Sequence, residues 1–402
     1  SSNRADADRR YLMTDMVFGT VAQQPTDPIL PRWWQTIDRW SLTFVMILFV
    51  MGILLGLAAS VPLAQRNGLD PFYYVYKQLF FGVIALLVMV FTSMLTPKII
   101  RRLGTIGFIF CFIAICFLPM LGTDFGKGAV RWYSLGFASI QPSEFLKPCF
   151  VIFTAWLMAS SFDVGGPPGK RMSFVVCVLV VGLLALQPDF GQASLFLASW
   201  GLMYFVAGAS LILMFIMFVC VVGVGIFSYN NSEHFARRID GFLNPDIDPR
   251  TQLGYATNAI QEGGFFGVGL GEGSVKWSLP DAHTDFIIAV AAEEYGLILV
   301  LIIISLFAAI TVRSLLRLMN ERDIFVRLSG TGIAVLFGMQ AMINMGVAVR
   351  LLPAKGMTLP FVSYGGSSLL AGGIGLGVLL AFTRRRAQGD ISDILSSAKI
   401  TK

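Results

Sequence analysis

An acid stands where an apolar stretch meets water. The run Leu279-Pro280-Asp281-Ala282-His283-Thr284-Asp285-Phe286 immediately precedes a long apolar segment and delivers the carboxylate of Asp285 to its mouth. A carboxylate so placed can accept a proton during an attack by a hydroxyl, and at a bilayer surface the natural reactant is lipid-linked. Pattern alone leaves a second role open: Thr284 or Asp285 can cap the helix that follows by accepting its orphan N–H groups. The two roles pull against each other, because a helix N-terminus favours the charged carboxylate and makes it a weaker base.

Other ionisable side chains gather on the same side. Lys127, Arg131, Trp132, Glu144 and Lys147 form the densest group. Glu144 and Lys147, three residues apart, share one helix face and can pair with each other. Arg131 can meet a lipid phosphate, and converging cations beside an acid also suit a diphosphate whose charge must be held as it departs. Asp189 falls in a tight turn between two apolar stretches. Glu293 and Glu294 lie two turns into the segment that Asp285 opens, where acids are costly and need either a structural ion pair with a neighbouring helix or a function. His234 and His283 are the only histidines, and no cysteine accompanies them outside the apolar stretches, which argues against zinc. Carboxylates on that side can hold a divalent cation such as Mg²⁺ if substrate phosphates complete its shell. Neither a G-x-S-x-G elbow nor a phosphate-binding loop occurs.

The elements that must position these groups are membrane helices. Of 402 residues, 55% are hydrophobic and 13% charged, more apolar surface than a soluble core absorbs. About 20 apolar residues make one helical crossing. Ten stretches qualify, at 41–62, 78–96, 103–121, 145–161, 172–187, 190–207, 209–228, 285–310, 326–348 and 366–383. The fold expected is an all-α polytopic membrane protein of about ten transmembrane helices. Lys and Arg orient it: Arg32 and Arg39, Lys98 to Arg102, Lys170 and Arg171, Arg313 to Arg322 and Arg384 to Arg386 share one side, which is then cytoplasmic, as are both termini. That bias accounts for the net charge of +6, so no nucleic-acid partner is implied. All five cysteines lie in apolar stretches, and no disulfide framework is expected.

Residues 1–38 read as a cytoplasmic tail, disordered by composition and without the short apolar core and cleavage site of a signal peptide. Trp33 and Trp34 suit the headgroup level. The membrane domain spans 39–386 and a second cytoplasmic tail covers 387–402. The main outward loop, 229–284 between helices 7 and 8, is long enough to be functional. It holds an amphipathic piece, Thr251 to Gln261, and a glycine-rich run, 263–271, too aromatic for a flexible linker, so an ordered cap over the bundle is expected. Segment 352–368, with Pro353, Pro360 and several glycines, is a poor spanning helix and reads as a re-entrant loop packed inside protein.

Taken in order, Arg131-Trp132 to Gln141-Pro142-Ser143-Glu144, Gln187-Pro188-Asp189-Phe190-Gly191, Pro280 to Phe286, Glu293-Glu294, and Leu359-Pro360-Phe361 to Gly365-Gly366-Ser367-Ser368 resemble the SEDS family (shape, elongation, division and sporulation) over nearly all of residues 40–386. Lys355-Gly356-Met357-Thr358-Leu359-Pro360-Phe361 is similar to the cell-division branch, with Met357, Val362 and the basic Arg350 as small departures. The resemblance implies a peptidoglycan glycosyltransferase that polymerises lipid II during cell division, with undecaprenyl pyrophosphate as leaving group. It implies Asp285 as the base, and Arg131, Glu144, Lys147 and Asp189 as lining the outward cavity. Lys355 matches the division-branch lysine, and Lys127, Trp132 and Ser363 complete the expected substrate-binding set. It further implies a class B penicillin-binding protein (FtsI) and other divisome proteins as partners, and a multi-pass protein of the bacterial inner membrane at the septum, its site facing the periplasm. An undecaprenyl tail must stay in lipid, so the cavity should open laterally between helices.

Two other classes stand beside this one. A lipid II flippase needs polar groups reachable from both faces, ideally near the midplane, whereas these charges concentrate at the outer mouth and no inverted repeat is visible. A divisome scaffold would leave the Asp285 constellation without a purpose.

Overall fold

The computed structural model describes residues 29–123, 130–136, 139–209, 211–231, 233–243, 251–279, 281–352 and 356–384. Contacts divide the chain into two units, residues 1–39 with 384–402, and residues 40–383. In the first, inside the span read as a tail, Ile29–Thr36 forms helix α1, and Thr36 Oγ1 accepts a hydrogen bond from Arg384 Nε at 3.0 Å.

The second unit carries a helix in each of the ten apolar stretches: α2 Arg39–Arg66, α3 Tyr73–Met94, α4 Pro97–Leu121, α5 Pro142–Ser160, α6 Gly169–Leu186, α7 Phe190–Val206, α8 Leu211–Asn231, α11 Ile287–Leu318, α12 Ile324–Ala348 and α13 Gly366–Phe382. Among the described residues seven helices have the length and hydropathy to cross a membrane. Of the other three, α7 and α13 are 17 residues each, and α5 carries Glu144 and Lys147. The expected loop 229–284 contains α9 Glu233–Leu243, α10 Gln252–Gly263 and a 3₁₀ turn, Val275–Trp277. The amphipathic piece is therefore α10, capped by Thr251 Oγ1, which accepts from Gly254 N at 3.1 Å. A two-stranded hairpin pairs Tyr133–Ser134 with Ser139–Ile140 ahead of α5.

Two close approaches place the functional segments. Gly373 and Gly377, one turn apart on α13, face α3, where a Cβ at either would strike the carbonyl oxygen of Ala85 or Met89. Small residues at that spacing let apolar helices meet backbone to backbone. The second approach is at Gly296, whose φ of 77° breaks the helical path inside α11. Backbone groups released there need partners, since lipid offers none. The glycine-rich run supplies them: Leu297 N donates to Gly264 O at 3.0 Å and Val268 N to Glu293 O at 2.9 Å. No side chain fits at Gly296, because a Cβ would run into the Phe265 carbonyl.

The run is ordered, as its aromatic content suggested, but Phe265 and Phe266 turn outward, 69% and 83% exposed. Backbone pairing at the kink holds it, so its rings are not needed as core. Segment 356–365 behaves as expected for a re-entrant loop: it is non-helical, with Met357, Leu359, Phe361 and Val362 buried. Gln78 Nε2 on α3 donates to Gly52 O and Val362 O, both at 3.1 Å, which satisfies a carbonyl that would otherwise be buried alone.

Candidate functional site

One end of the bundle encloses a cavity of about 570 Å³. Asp285 reaches it from a tight turn in which the backbone N–H groups of Thr284, Asp285 and Phe286 all point at Asp281 O, at 3.1, 3.1 and 3.4 Å. Helix α11 begins only at Ile287, with Phe286 at the capping position and no side-chain cap. The N-cap position thus falls to Phe286 and not to Thr284 or Asp285, because the turn extends the chain past Asp285 before the helix starts. Two elements clamp this turn. Asn344 Nδ2 on α12 donates to Asp285 O at 3.0 Å and also to Met357 O, and Tyr364 N donates to His283 O at 3.0 Å. Gly356 leaves room beside the carboxylate: a Cβ there would sit 3.1 Å from Asp285 Oδ2.

Arg131, Trp132 and Glu144 line the same cavity. The Arg131 guanidinium is engaged at its rim: Nη2 donates to Pro188 O at 2.7 Å, Nε to Gln187 O at 3.3 Å, and Nη1 lies 3.9 Å from Asp189 Oδ1. Asp189 is buried in the turn between α6 and α7 and does not itself line the cavity. Burial pushes its carboxyl above the usual range, and Arg131 offsets part of that rise.

Glu144 and Lys147 do pair, at 2.8 Å, and both are buried. The pair is closed by amides from other helices: Gln192 Nε2 donates to Glu144 Oε1 at 2.7 Å, and Lys147 Nζ to Gln340 Oε1 at 2.9 Å. Gln340 Nε2 then donates to Thr358 O at 2.9 Å, tying the network to the re-entrant loop. Lys147 sits beneath the cavity, beside a separate hollow of about 40 Å³, with its charge already matched. Buried charges are kept only where paired and hydrogen-bonded.

Ser363, expected to bind substrate, lies away from the cavity: its Oγ accepts from Leu359 N at 2.9 Å and holds a buried turn. Lys127 and Lys355 fall outside the described residues. Glu293 and Glu294 do make a structural contact, though with the loop and not with a neighbouring helix. Lys276 Nζ meets Glu294 Oε1 at 2.5 Å, and Val275 N donates to Glu293 Oε1 at 2.8 Å.

Sequence reasoning missed Lys77, Gln340 and Asn344. Lys77 falls just outside the apolar stretch 78–96, but the aromatic run Tyr73–Tyr76 extends α3 by a further turn, so Lys77 lies on a helix and lines the cavity. Gln340 and Asn344 carried a usable signal, two amides four apart in an otherwise apolar span. Among the described residues no group of three or more His, Cys, Asp and Glu converges as a metal site would. Cys111, Cys116, Cys149 and Cys177 are free thiols.

The polar cavity does not stand alone. Leu135, Ile140 and Phe145 belong both to it and to an apolar groove of about 900 Å³ between α3, α4 and α5. Val88 and Phe91 of α3 and Leu103 and Phe110 of α4 line that groove. Polar chamber and lipid-like groove therefore share a wall, the arrangement a reactant with a charged head and a long hydrocarbon tail requires.

Residues 39–388 match the family model that covers FtsW, RodA and SpoVE, described as cell cycle protein, and the chain belongs to this family of polytopic membrane proteins. Within it the chain sides with the cell-division branch. It is 41% identical to the probable peptidoglycan glycosyltransferase FtsW of Caulobacter vibrioides, over 89% of this chain and 92% of that protein. To the protein of the same name in Trichlorobacter lovleyi it is 36% identical, over 85% and 92%. Among solved structures it resembles the rod shape determining protein RodA of Thermus thermophilus, with a TM-score of 0.65 and 26% identity over 89% of this chain and 99% of that one. It also resembles a chain from a structure describing how a peptidoglycan synthase complex coordinates polymerization and crosslinking, with a TM-score of 0.73 and 26% identity over 88% and 99%.

Proposed function

We propose that this protein is the peptidoglycan glycosyltransferase of the dividing cell and polymerises lipid II into glycan strands. The observation that carries the reading is Asp285, held at a polar cavity that shares its wall with an apolar groove. In the reaction the 4-hydroxyl of an acceptor sugar attacks the anomeric carbon of the growing glycan. The hydroxyl proton passes to the Asp285 carboxylate, the new glycosidic C–O bond forms, and the bond to the diphosphate breaks with its electron pair leaving on undecaprenyl diphosphate. Cations at the cavity steady that departing charge. The groove keeps the tail in an apolar medium throughout, so only the head is moved from water. Mg²⁺ fits this chemistry as a companion of the diphosphate: Asp281 and Asp285 line the cavity, and phosphate and water would supply the other ligands.

The test is direct. Purified protein with its class B penicillin-binding partner and lipid II is expected to give glycan strands that resolve on a gel, with little product when the partner is omitted. An EDTA arm reads the need for Mg²⁺. No strands from the complete mixture would overturn the reading, and full-rate synthesis without a partner would remove the partner's activating role.

Orientation is tested separately. With the site facing the periplasm at the septum, a cysteine placed at Ser274 is expected to react with an impermeant thiol reagent in spheroplasts, and one at Gln388 is not. Labelling at Gln388 would put the site in the wrong compartment for this reaction.

A further inference from the structure

We propose that Lys77 binds the diphosphate of a polyprenyl-linked ligand at the mouth of the cavity. The inference deepens the function proposed above and rests on it.

Two cations among the described residues line the cavity, Arg131 and Lys77. Arg131 is spent on two backbone carbonyls and Asp189. Lys147, below, is spent on Glu144 and Gln340. Lys77 makes no ion pair among the described residues; its ammonium rests 4.7 Å from the centroid of the Tyr73 ring. A half-buried ammonium on an aromatic face keeps its N–H donors for a ligand, since such a contact is worth little beside a charge-assisted hydrogen bond to phosphate.

Its placement fits the head of a lipid. Lys77 and Phe81, four apart on α3, both face the cavity. Further along the same helix Val88 and Phe91 line the apolar groove, roughly 16 and 21 Å along the axis from Lys77 at about 1.5 Å of rise per residue. One helix thus carries a free cation at the level of the head and apolar wall at the level of the tail. A lysine suits this task, because its flexible stem follows a phosphate that moves as it leaves.

An anionic phospholipid headgroup offers similar chemistry, so the experiment separates the two. The full chain with its partner in nanodiscs is assayed for lipid II polymerisation and for inhibition by undecaprenyl diphosphate, undecaprenyl monophosphate and added phosphatidylglycerol. Lys77→Met is expected to raise the half-inhibitory concentration of the diphosphate about tenfold, the scale of one lost charge-assisted hydrogen bond, and to raise KM for lipid II. Lys77→Arg should restore both to within about threefold of the parent, a rescue that loss of packing alone would not give. Lys77→Gln serves as the neutral variant if the methionine protein does not elute as a single species. Inhibition of the neutral variants at the parent's diphosphate concentration would overturn the proposal, as would phosphatidylglycerol competing as well as the diphosphate. A parent that makes no glycan would instead sink the underlying function.

Discussion

Replacing Asp285 with Asn is expected to lower the polymerisation rate by about 10² to 10⁴-fold, the usual worth of a positioned general base, while thermal stability and partner binding stay near those of the parent. Asn keeps the shape of the side chain and the main-chain carbonyl that accepts from Asn344 at 3.0 Å. It also leaves the N-cap residue unchanged, because Phe286 holds that position. The substitution therefore removes the carboxylate's basicity while keeping the side chain's shape and the clamp on its backbone, and single-turnover rates with lipid II read it directly. A variant within a few-fold of the parent would move the proton acceptor elsewhere. Glu144, which lines the cavity, and Asp189, buried behind Arg131, would then be the carboxylates to test next.

Lys276→Met is expected to cost about 3–5 kcal/mol, the penalty for removing one partner of a buried ion pair. Lys276 is 6% exposed and Glu294 not at all. Without the lysine, Glu294 and the neighbouring Glu293 stay buried with no counter-charge. The consequence reaches the site, since Lys276 lies nine residues before Asp285 in the chain and anchors that stretch of the loop to α11. The melting temperature should fall, residues 251–286 should become sensitive to limited proteolysis, and polymerisation should drop although no group lining the cavity has changed. Adding Glu294→Gln to Lys276→Met should recover part of the stability, because it removes the stranded charge. An unchanged melting temperature in the single variant would show that the pair does not anchor the loop.

Hydropathy alone located the ten helices, seven of them among the described residues long and apolar enough to cross a membrane, since a crossing must place about 20 apolar residues in hydrocarbon whatever its neighbours are. The irregular character of 356–365 was equally legible, because proline and glycine act on their own backbone. Asp285 stood out by its position at the end of an apolar run. Tertiary structure decided what each polar group is paired with. Two acids inside a span announce that partners exist, yet nothing local names Lys276, which reaches Glu294 because the glycine-rich run just before it folds onto the kink at Gly296. Lys147 could be matched with Glu144 three residues away, but Gln192 and Gln340 come from other helices. Ser363 looked like a ligand-binding hydroxyl and turned out to hold its own turn, while Lys77 looked like loop and lines the cavity. The physical reason is common to all of them. Partitioning into lipid is a sum over neighbouring residues, which a sequence displays in order, whereas a buried charge or carbonyl must be satisfied by whichever group the fold brings within about 3 Å, and that group can stand anywhere along the chain.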